Sequence, residues 1–183
     1  MIRTRELIAV RAVRLIAKKV LVVLVIAIGF PGSLLLVASA ANAQEARTAA
    51  SMAALKDKTA KLGAPKIEGE ERVGNRSAPV LYFGSTKMNN DITIVDEIGK
   101  EDPGMTATLF VKAGDEFFRV ATSVRLPDGR RAVGTILKPP ALDSIKAGKP
   151  YYGEVQVLGT PYIAPIKDAS GETIGVYFVG YKR

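Results

Sequence analysis

Short extended runs separated by turns fill the second half of this chain, and they constrain its fold more than any other feature. From Val80 onward, runs rich in β-branched and aromatic residues recur about every 10–14 residues and end at Gly, Pro or Asp. Runs spaced this closely leave room only for short turns between them, and short turns join neighbouring antiparallel strands. The pattern therefore predicts an antiparallel sheet. The predicted strands span residues 106–112, 116–126, 130–138, 152–158, 162–166 and 173–181, and a short helix is predicted at 141–147.

One amphipathic helix is predicted ahead of these strands. Residues 44–62 are rich in Ala, Lys and Glu, which favour helix, and Gly63 and Pro65 end the pattern. The charged stretch 64–79 contains glycines and prolines and is typical of a loop or linker. A helix packed on one face of an antiparallel sheet makes an α+β domain. We therefore expect the helix and linker over residues 44–79 and the domain itself over residues 80–183.

The first 43 residues have the layout of a secretory signal peptide. Six basic residues and one acid come first, and an apolar run over residues 20–30 follows. Pro31-Gly32 then breaks the run, and Ala41-Asn42-Ala43 fits the small-residue rule for signal-peptidase cleavage. The sequence predicts export, with cleavage after Ala43 and a periplasmic or secreted mature chain.

An uncleaved membrane anchor is the alternative for the same segment. Residues 20–41 are mostly apolar and long enough to cross a hydrocarbon core of about 30 Å. The basic flank stays in the cytoplasm in either case, because positively charged flanks are retained on that side. The domain is therefore expected outside the cytoplasm whether the leader is cleaved or kept as an inner-membrane anchor.

Composition excludes several classes of function. The formal net charge is +8, but the leader carries six of the 26 basic residues, and the remainder of the chain has no basic cluster typical of nucleic-acid binding. The chain has no Cys and no His. Thiol nucleophiles, His-based catalysis and thiolate metal sites are therefore impossible. The sequence predicts no enzymatic activity, no cofactor and no metal site.

Arg119 is the most informative polar residue, because it lies in the interior of a predicted strand. Strict alternation would place Phe118, Val120, Thr122 and Val124 on one face of the strand and Arg119 on the other. A cation in such a position is costly unless it is paired or faces a polar ligand. The planar guanidinium group of Arg119 is suited to binding a carboxylate through two parallel hydrogen bonds. A solvated outer face or an internal salt bridge is the alternative for Arg119.

Three tyrosines flank the later predicted strands. Tyr151, Tyr152 and Tyr162 would supply aromatic walls and orienting hydroxyl groups to a small apolar pocket. A role in the hydrophobic core is the alternative for each of them.

Four motifs occur in order along the domain, and together they resemble the Cache 3/Cache 2 fusion type of single Cache domain. They are F-x-R-V-x-T at 117–122, D-G-x-R-A-x-G-T at 128–135, Y-Y-G-x-V at 151–155, and P-I-x-D-x-x-G-x-x-I-G-x-x-x-V-G at 165–180. The resemblance runs from about Val80 to Arg183. Its tyrosine pattern departs from the family, because Tyr162 is followed directly by Ile163-Ala164-Pro165-Ile166 where the family commonly has a second Tyr.

The resemblance implies a PAS-like extracytoplasmic fold, with a long N-terminal helix against a central antiparallel sheet of five or six strands. It implies sensing of small organic acids or amino acids for chemoreceptors and sensor kinases. It places Arg119 and Thr122 on the central strand, and Tyr151, Tyr152 and Tyr162 around the pocket. No kinase or methyl-accepting region occurs in the sequence, so a separate membrane receptor or kinase is expected as partner. A homodimer through the N-terminal helix, and a scaffold protein that binds no ligand, remain alternatives.

Overall fold

One long helix and two antiparallel sheets make up the fold, as seen in a computed structural model that describes residues 32–154 and 160–181, with side chains from residue 42. The chain divides into two units, residues 1–44 and 45–183. The helices are α1 (Gly32–Ala60), α2 (Thr93–Glu101) and α3 (Ala141–Lys146), and the strands are β1 (Pro65–Val73), β2 (Arg76–Phe83), β3 (Thr86–Lys87), β4 (Met105–Ala113), β5 (Glu116–Thr122), β6 (Tyr151–Tyr152), β7 (Tyr162–Lys167) and β8 (Thr173–Tyr181).

Much of the predicted leader lies outside the described residues. Its basic start and the apolar run over residues 20–30 are not described, so cleavage after Ala43 stays a prediction. Among the residues that are described, no helix combines the length and the apolar character needed to cross a membrane.

The predicted helix at 44–62 is confirmed as the second half of α1, which begins earlier, at Gly32, and ends at Ala60. Met52 and Leu55 are buried in the core, and Thr48 and Thr59 extend the buried stripe at helical spacing. The Thr59 and Tyr177 hydroxyl groups lie 2.8 Å apart, which ties α1 to the last strand. Apolar packing and this buried hydrogen bond therefore fix the part of α1 from residue 45 onward on one face of the sheet.

The larger sheet has five antiparallel strands in the order β5-β4-β8-β7-β6, which confirms the predicted central sheet. Strands β4 and β8 are almost continuously buried, as expected for strands covered on both faces of the sheet. The face towards α1, here called the helix face, carries an apolar cluster that includes Leu109, Val111 and Val179. The opposite face, here called the cover face, carries Phe110 and Phe178 and is covered by α3 and the chain preceding it.

The prediction of a loop or linker over residues 64–79 is wrong, because most of this stretch forms two β-strands. β1 and β2 pair as an antiparallel hairpin, and β3 adds a third strand to this smaller sheet. In β2, Ala78, Leu81 and Phe83 are buried in the core next to α1. Nearly all of β1 is exposed, so its strand character comes from pairing with β2 and not from burial of its own side chains.

The strand predicted at 130–138 is also corrected. This stretch lies beside β5 through two isolated bridges, Phe118 with Ile136 and Arg125 with Arg131, and forms no continuous strand. Gly134, with φ of +77°, interrupts the extended conformation. Of the strand predicted at 152–158, the structure shows β6 alone, and residues 155–159 lie outside the described part.

Candidate functional site

Arg119 lies in the middle of β5 and faces the cover side of the sheet. The expected central position of Arg119 and Thr122 is wrong, because β5 is the first strand in the order of the larger sheet. It stands directly opposite Phe110 of β4, and its guanidinium carbon lies 5.1 Å from the centroid of that ring. Its Nε is buried and has no hydrogen-bond partner. Within residues 32–154 and 160–181, no carboxylate forms an ion pair with Arg119, so an internal salt bridge does not account for this nitrogen. Arg119 as a whole is half-buried.

The electrostatics of Arg119 follow from this burial. Removal from water lowers the pKa of Arg119 to about 10, since a low-dielectric environment disfavours the charged form. The side chain still carries its positive charge at neutral pH. Its backbone is held on the outer edge of β5, where its N–H donates to the Thr135 carbonyl at 2.8 Å and its carbonyl accepts from Gly134 N–H at 2.9 Å. The cation is thus positioned by the sheet and lacks a partner for its Nε.

A β-bulge brings Thr122 onto the same face as Arg119, against the strict alternation expected from the sequence. Arg119 pairs with Phe110 but Ala121 pairs with Leu109, so Val120 is the extra residue in β5. Thr122 therefore lies opposite Thr108 on the cover face. The bulge separates Thr122 from Phe118 and Val120, which belong to the cluster on the helix face.

The hydroxyl groups of Thr108 and Thr122 lie 2.6 Å apart, and both residues are fully buried. The Thr122 hydroxyl also accepts a hydrogen bond from the Val124 N–H at 3.0 Å. Sequence analysis missed Thr108, although the T-x-T spacing in TATLFV, which puts two hydroxyl groups on one strand face, was a usable signal. The cover face therefore combines a cation with a buried pair of hydroxyl groups.

The three tyrosines do not lie together. Tyr151 pairs with Ile163 and packs against the apolar cluster of the cover face, so it shares that face with Arg119 and Thr122. Tyr152 and Tyr162 pair with each other on the helix face, with ring centroids 6.2 Å apart and the rings at 79°. The single pocket expected from the resemblance is therefore corrected, because the sheet separates these two tyrosines from Arg119.

Arg131 is a further residue that sequence analysis missed. Its two terminal nitrogens donate to the two oxygens of Asp96 on α2, each at 2.7 Å. One of them also donates to the Thr122 carbonyl at 2.7 Å. These hydrogen bonds of the Arg131 guanidinium group hold the end of β5 to α2 and to the chain that covers the sheet. They therefore position Thr122.

A comparison with protein-family models finds a match to the Cache 3/Cache 2 fusion domain over residues 34–183. The chain belongs to the Cache 3/Cache 2 fusion family. Cache domains are extracytoplasmic sensory domains that bind small molecules and work with signalling partners, and their role is sensory and not catalytic. The match begins within α1, so it includes the helix and the β1–β2 hairpin as well as the larger sheet. Searches of curated proteins and of solved structures found no match.

The unpaired cation of this Cache domain is expected to lower its stability in the absence of ligand. Arg119→Met keeps most of the apolar stem but removes the charge and the orphaned donor. We expect it to raise the free energy of unfolding by about 1–2 kcal/mol, which corresponds to about 2–4 °C in melting temperature per kcal/mol at this chain length. Differential scanning calorimetry of ligand-free protein measures this change.

The pH dependence of that gain follows from the lowered pKa. The unfolded chain holds the Arg119 proton more tightly than the folded chain does, so the folded state is penalised at every pH below about 10. The gain from Arg119→Met should therefore be constant from neutral pH to about pH 9 and shrink as pH rises through the pKa of about 10. A lower melting temperature for Arg119→Met would contradict the unpaired state of Arg119.

Proposed function

We propose that this domain binds a small organic anion, an organic acid or an amino acid, on the cover face, with Arg119 as the anion partner. The observation that supports the proposal is the buried Nε of Arg119, which has no hydrogen-bond partner. A positive charge held in apolar surroundings without a carboxylate is costly, and a bound anion would offset that cost. The guanidinium group is the side chain best suited to grip a carboxylate through two parallel hydrogen bonds.

The surroundings of Arg119 support a ligand with a polar and an apolar part. Thr108 and Thr122 bring hydroxyl groups to the same face, and Tyr151 lies at its far edge. Phe110 and Phe178 supply aromatic surface between them, with ring centroids 6.3 Å apart. In this proposal Arg119 binds the carboxylate, Thr122 orients the ligand, and the two rings contact its carbon chain. Tyr151 lies on β6, four strands away from β5, which is roughly 19 Å at about 4.8 Å per strand, so a small acid bound at Arg119 does not reach it. Tyr152 and Tyr162 are not part of this site.

Mass spectrometry of small molecules released from the purified protein tests this proposal. A carboxylate should be released in near-stoichiometric amount, and titration calorimetry of the stripped protein with that compound should give one site per chain. Release of neutral or cationic compounds alone, together with no heat from a panel of organic acids and amino acids, would contradict the proposal.

A scaffold that binds no ligand is the second candidate, and the packing of the cover face favours it. Phe110, Ile145, Ile163, Val176 and Phe178 are each no more than 3% exposed, so much of this face is filled by the protein's own side chains. Ligand binding would then require α3 and the chain before it to move away from the sheet. A scaffold predicts no released compound and no heat with any small carboxylate.

We further propose that the domain acts outside the cytoplasm with a separate membrane receptor or kinase. Support comes from the family, whose members are extracytoplasmic and work with signalling partners, and from the leader predicted in the sequence. Helix α1 is proposed as the contact for that partner or for a second copy of the chain. The domain boundary at residue 80 stays a proposal.

Export with cleavage after Ala43 is a further prediction. N-terminal sequencing of the protein from the cell envelope should begin at Gln44, because Ala41-Asn42-Ala43 has the small residues that signal peptidase requires. A start at Met1 in the membrane fraction would instead establish the anchor over residues 20–41.

A further inference from the structure

A cleft lies on the helix face of the larger sheet, the opposite face from Arg119. It has a volume of about 390 Å³ and is lined by Glu45 and Ala49 of α1, by Pro150, and by Tyr152 and Tyr162. Tyr152 is 40% exposed, one of the most exposed large apolar side chains in the described part of the chain. The cleft therefore joins one exposed and one half-buried aromatic ring beside the start of the buried stripe of α1.

Glu45 gives this cleft its charge. It is the one charged residue among the lining side chains, and it is exposed, three residues before the buried Thr48. Among the described residues it forms no ion pair, whereas Arg47, two positions later, pairs with Asp102. Glu45 and Tyr152 line the same cleft, and burial, followed by the charge of Glu45, raises the pKa of Tyr152.

We propose that this cleft binds a small organic cation of the quaternary or alkylated ammonium class. The negative faces of Tyr152 and Tyr162 attract a cation, and their edge-to-face arrangement offers two differently oriented rings to its methyl groups. Glu45 supplies the counter-charge. An anion is excluded by the same carboxylate, so the ligand class differs from the one proposed for Arg119.

Choline and its neutral isostere 3,3-dimethylbutan-1-ol are the probes that test this site. They have nearly the same shape, so a difference in binding reports the charge. The full-length chain is kept in a maltoside detergent, which has no choline headgroup, and its tyrosine rings are labelled with ¹³C. The chain has six tyrosines, so the ring signals are few enough to follow one by one. Choline should shift the signals of Tyr152 and Tyr162 with saturation in the millimolar range, and the isostere should not.

Variants separate the parts of the site. Glu45→Gln and Tyr152→Leu should each weaken choline binding by about fivefold or more, since one charge or one cation–π contact is lost. Glu68→Gln is the matched control, because Glu68 is an exposed acid on β1 and does not line the cleft. Arg119→Ala should leave choline binding unchanged, which keeps this test separate from the anion site. Equal binding of choline and its isostere, or unchanged choline binding in Glu45→Gln, would overturn the proposal.

Discussion

Gly84→Ala is expected to lower the free energy of unfolding by about 3 kcal/mol or more. A Cβ atom at position 84 would lie 2.1 Å from the carbonyl oxygen of Leu62, closer than any real contact. The neighbouring atoms are backbone, so no side chain can rotate away. Gly84 also has φ of +58°, a left-handed conformation that costs a residue with a Cβ about 1–2 kcal/mol.

The contact at Gly84 fixes the end of α1 to the smaller sheet. Gly63, which follows α1, approaches Gly84 so closely that a Cβ at position 63 would lie 2.7 Å from the Gly84 Cα. The Gly84 N–H donates to the Ala64 carbonyl at 2.9 Å. Two glycines are therefore needed where the chain leaving the helix crosses the turn between β2 and β3.

Gly114→Ala is the matched control for this prediction. Gly114 has a similar φ, +61°, in the turn between β4 and β5, but nothing lies within 4 Å of the position of its Cβ. Gly114→Ala should lower the free energy of unfolding by about 1 kcal/mol, because only the left-handed backbone conformation disfavours a Cβ there. Urea denaturation followed by circular dichroism gives both values. Similar losses for the two variants would show that the close approach at Gly84 contributes nothing.

The second half of the fold could be predicted from the sequence, because the apolar runs of the strands and the turn residues between them indicate the same strand boundaries. Strand β8 begins and ends where the pattern predicts, since its apolar run is bounded by a turn containing Gly171. The β4–β5 hairpin was equally clear from Gly114-Asp115. In contrast, β1 is exposed and charged and is held by pairing with β2, an interaction between strands that composition alone does not reveal.

The site could be predicted in part, for a reason that lies in strand geometry. Arg119 was identifiable, because a cation in a strand interior is unusual wherever that strand lies. Tyr151 and Tyr152 are adjacent, so they must face opposite sides of a strand, and that rule already divided the predicted pocket. The bulge at Val120 could not be foreseen, because the extra residue is defined by the register with β4. It is this register that brings Thr122 beside Arg119.

Arg119→Ala is expected to weaken binding of the small carboxylate by about ten- to a hundredfold. A charge-assisted hydrogen bond contributes roughly 1.5–3 kcal/mol, and no other cation of β5 lies in the strand interior. Arg119→Lys should restore part of this affinity, because an ammonium group keeps the charge but not the fork that binds two carboxylate oxygens. Titration calorimetry with the released compound measures all three proteins.

Arg125→Ala is the control for charge alone. Arg125 is exposed, and its guanidinium group donates to the Gly129 carbonyl at 2.8 Å within its own turn. The Arg125→Ala substitution removes the same formal charge from the same region of the chain. It should change the affinity for the carboxylate less than twofold, since solvent and salt screen an exposed charge. Melting temperatures recorded alongside show whether each variant is folded. A well-folded Arg119→Ala protein with unchanged affinity would remove Arg119 from the site and leave the scaffold as the better account of this face.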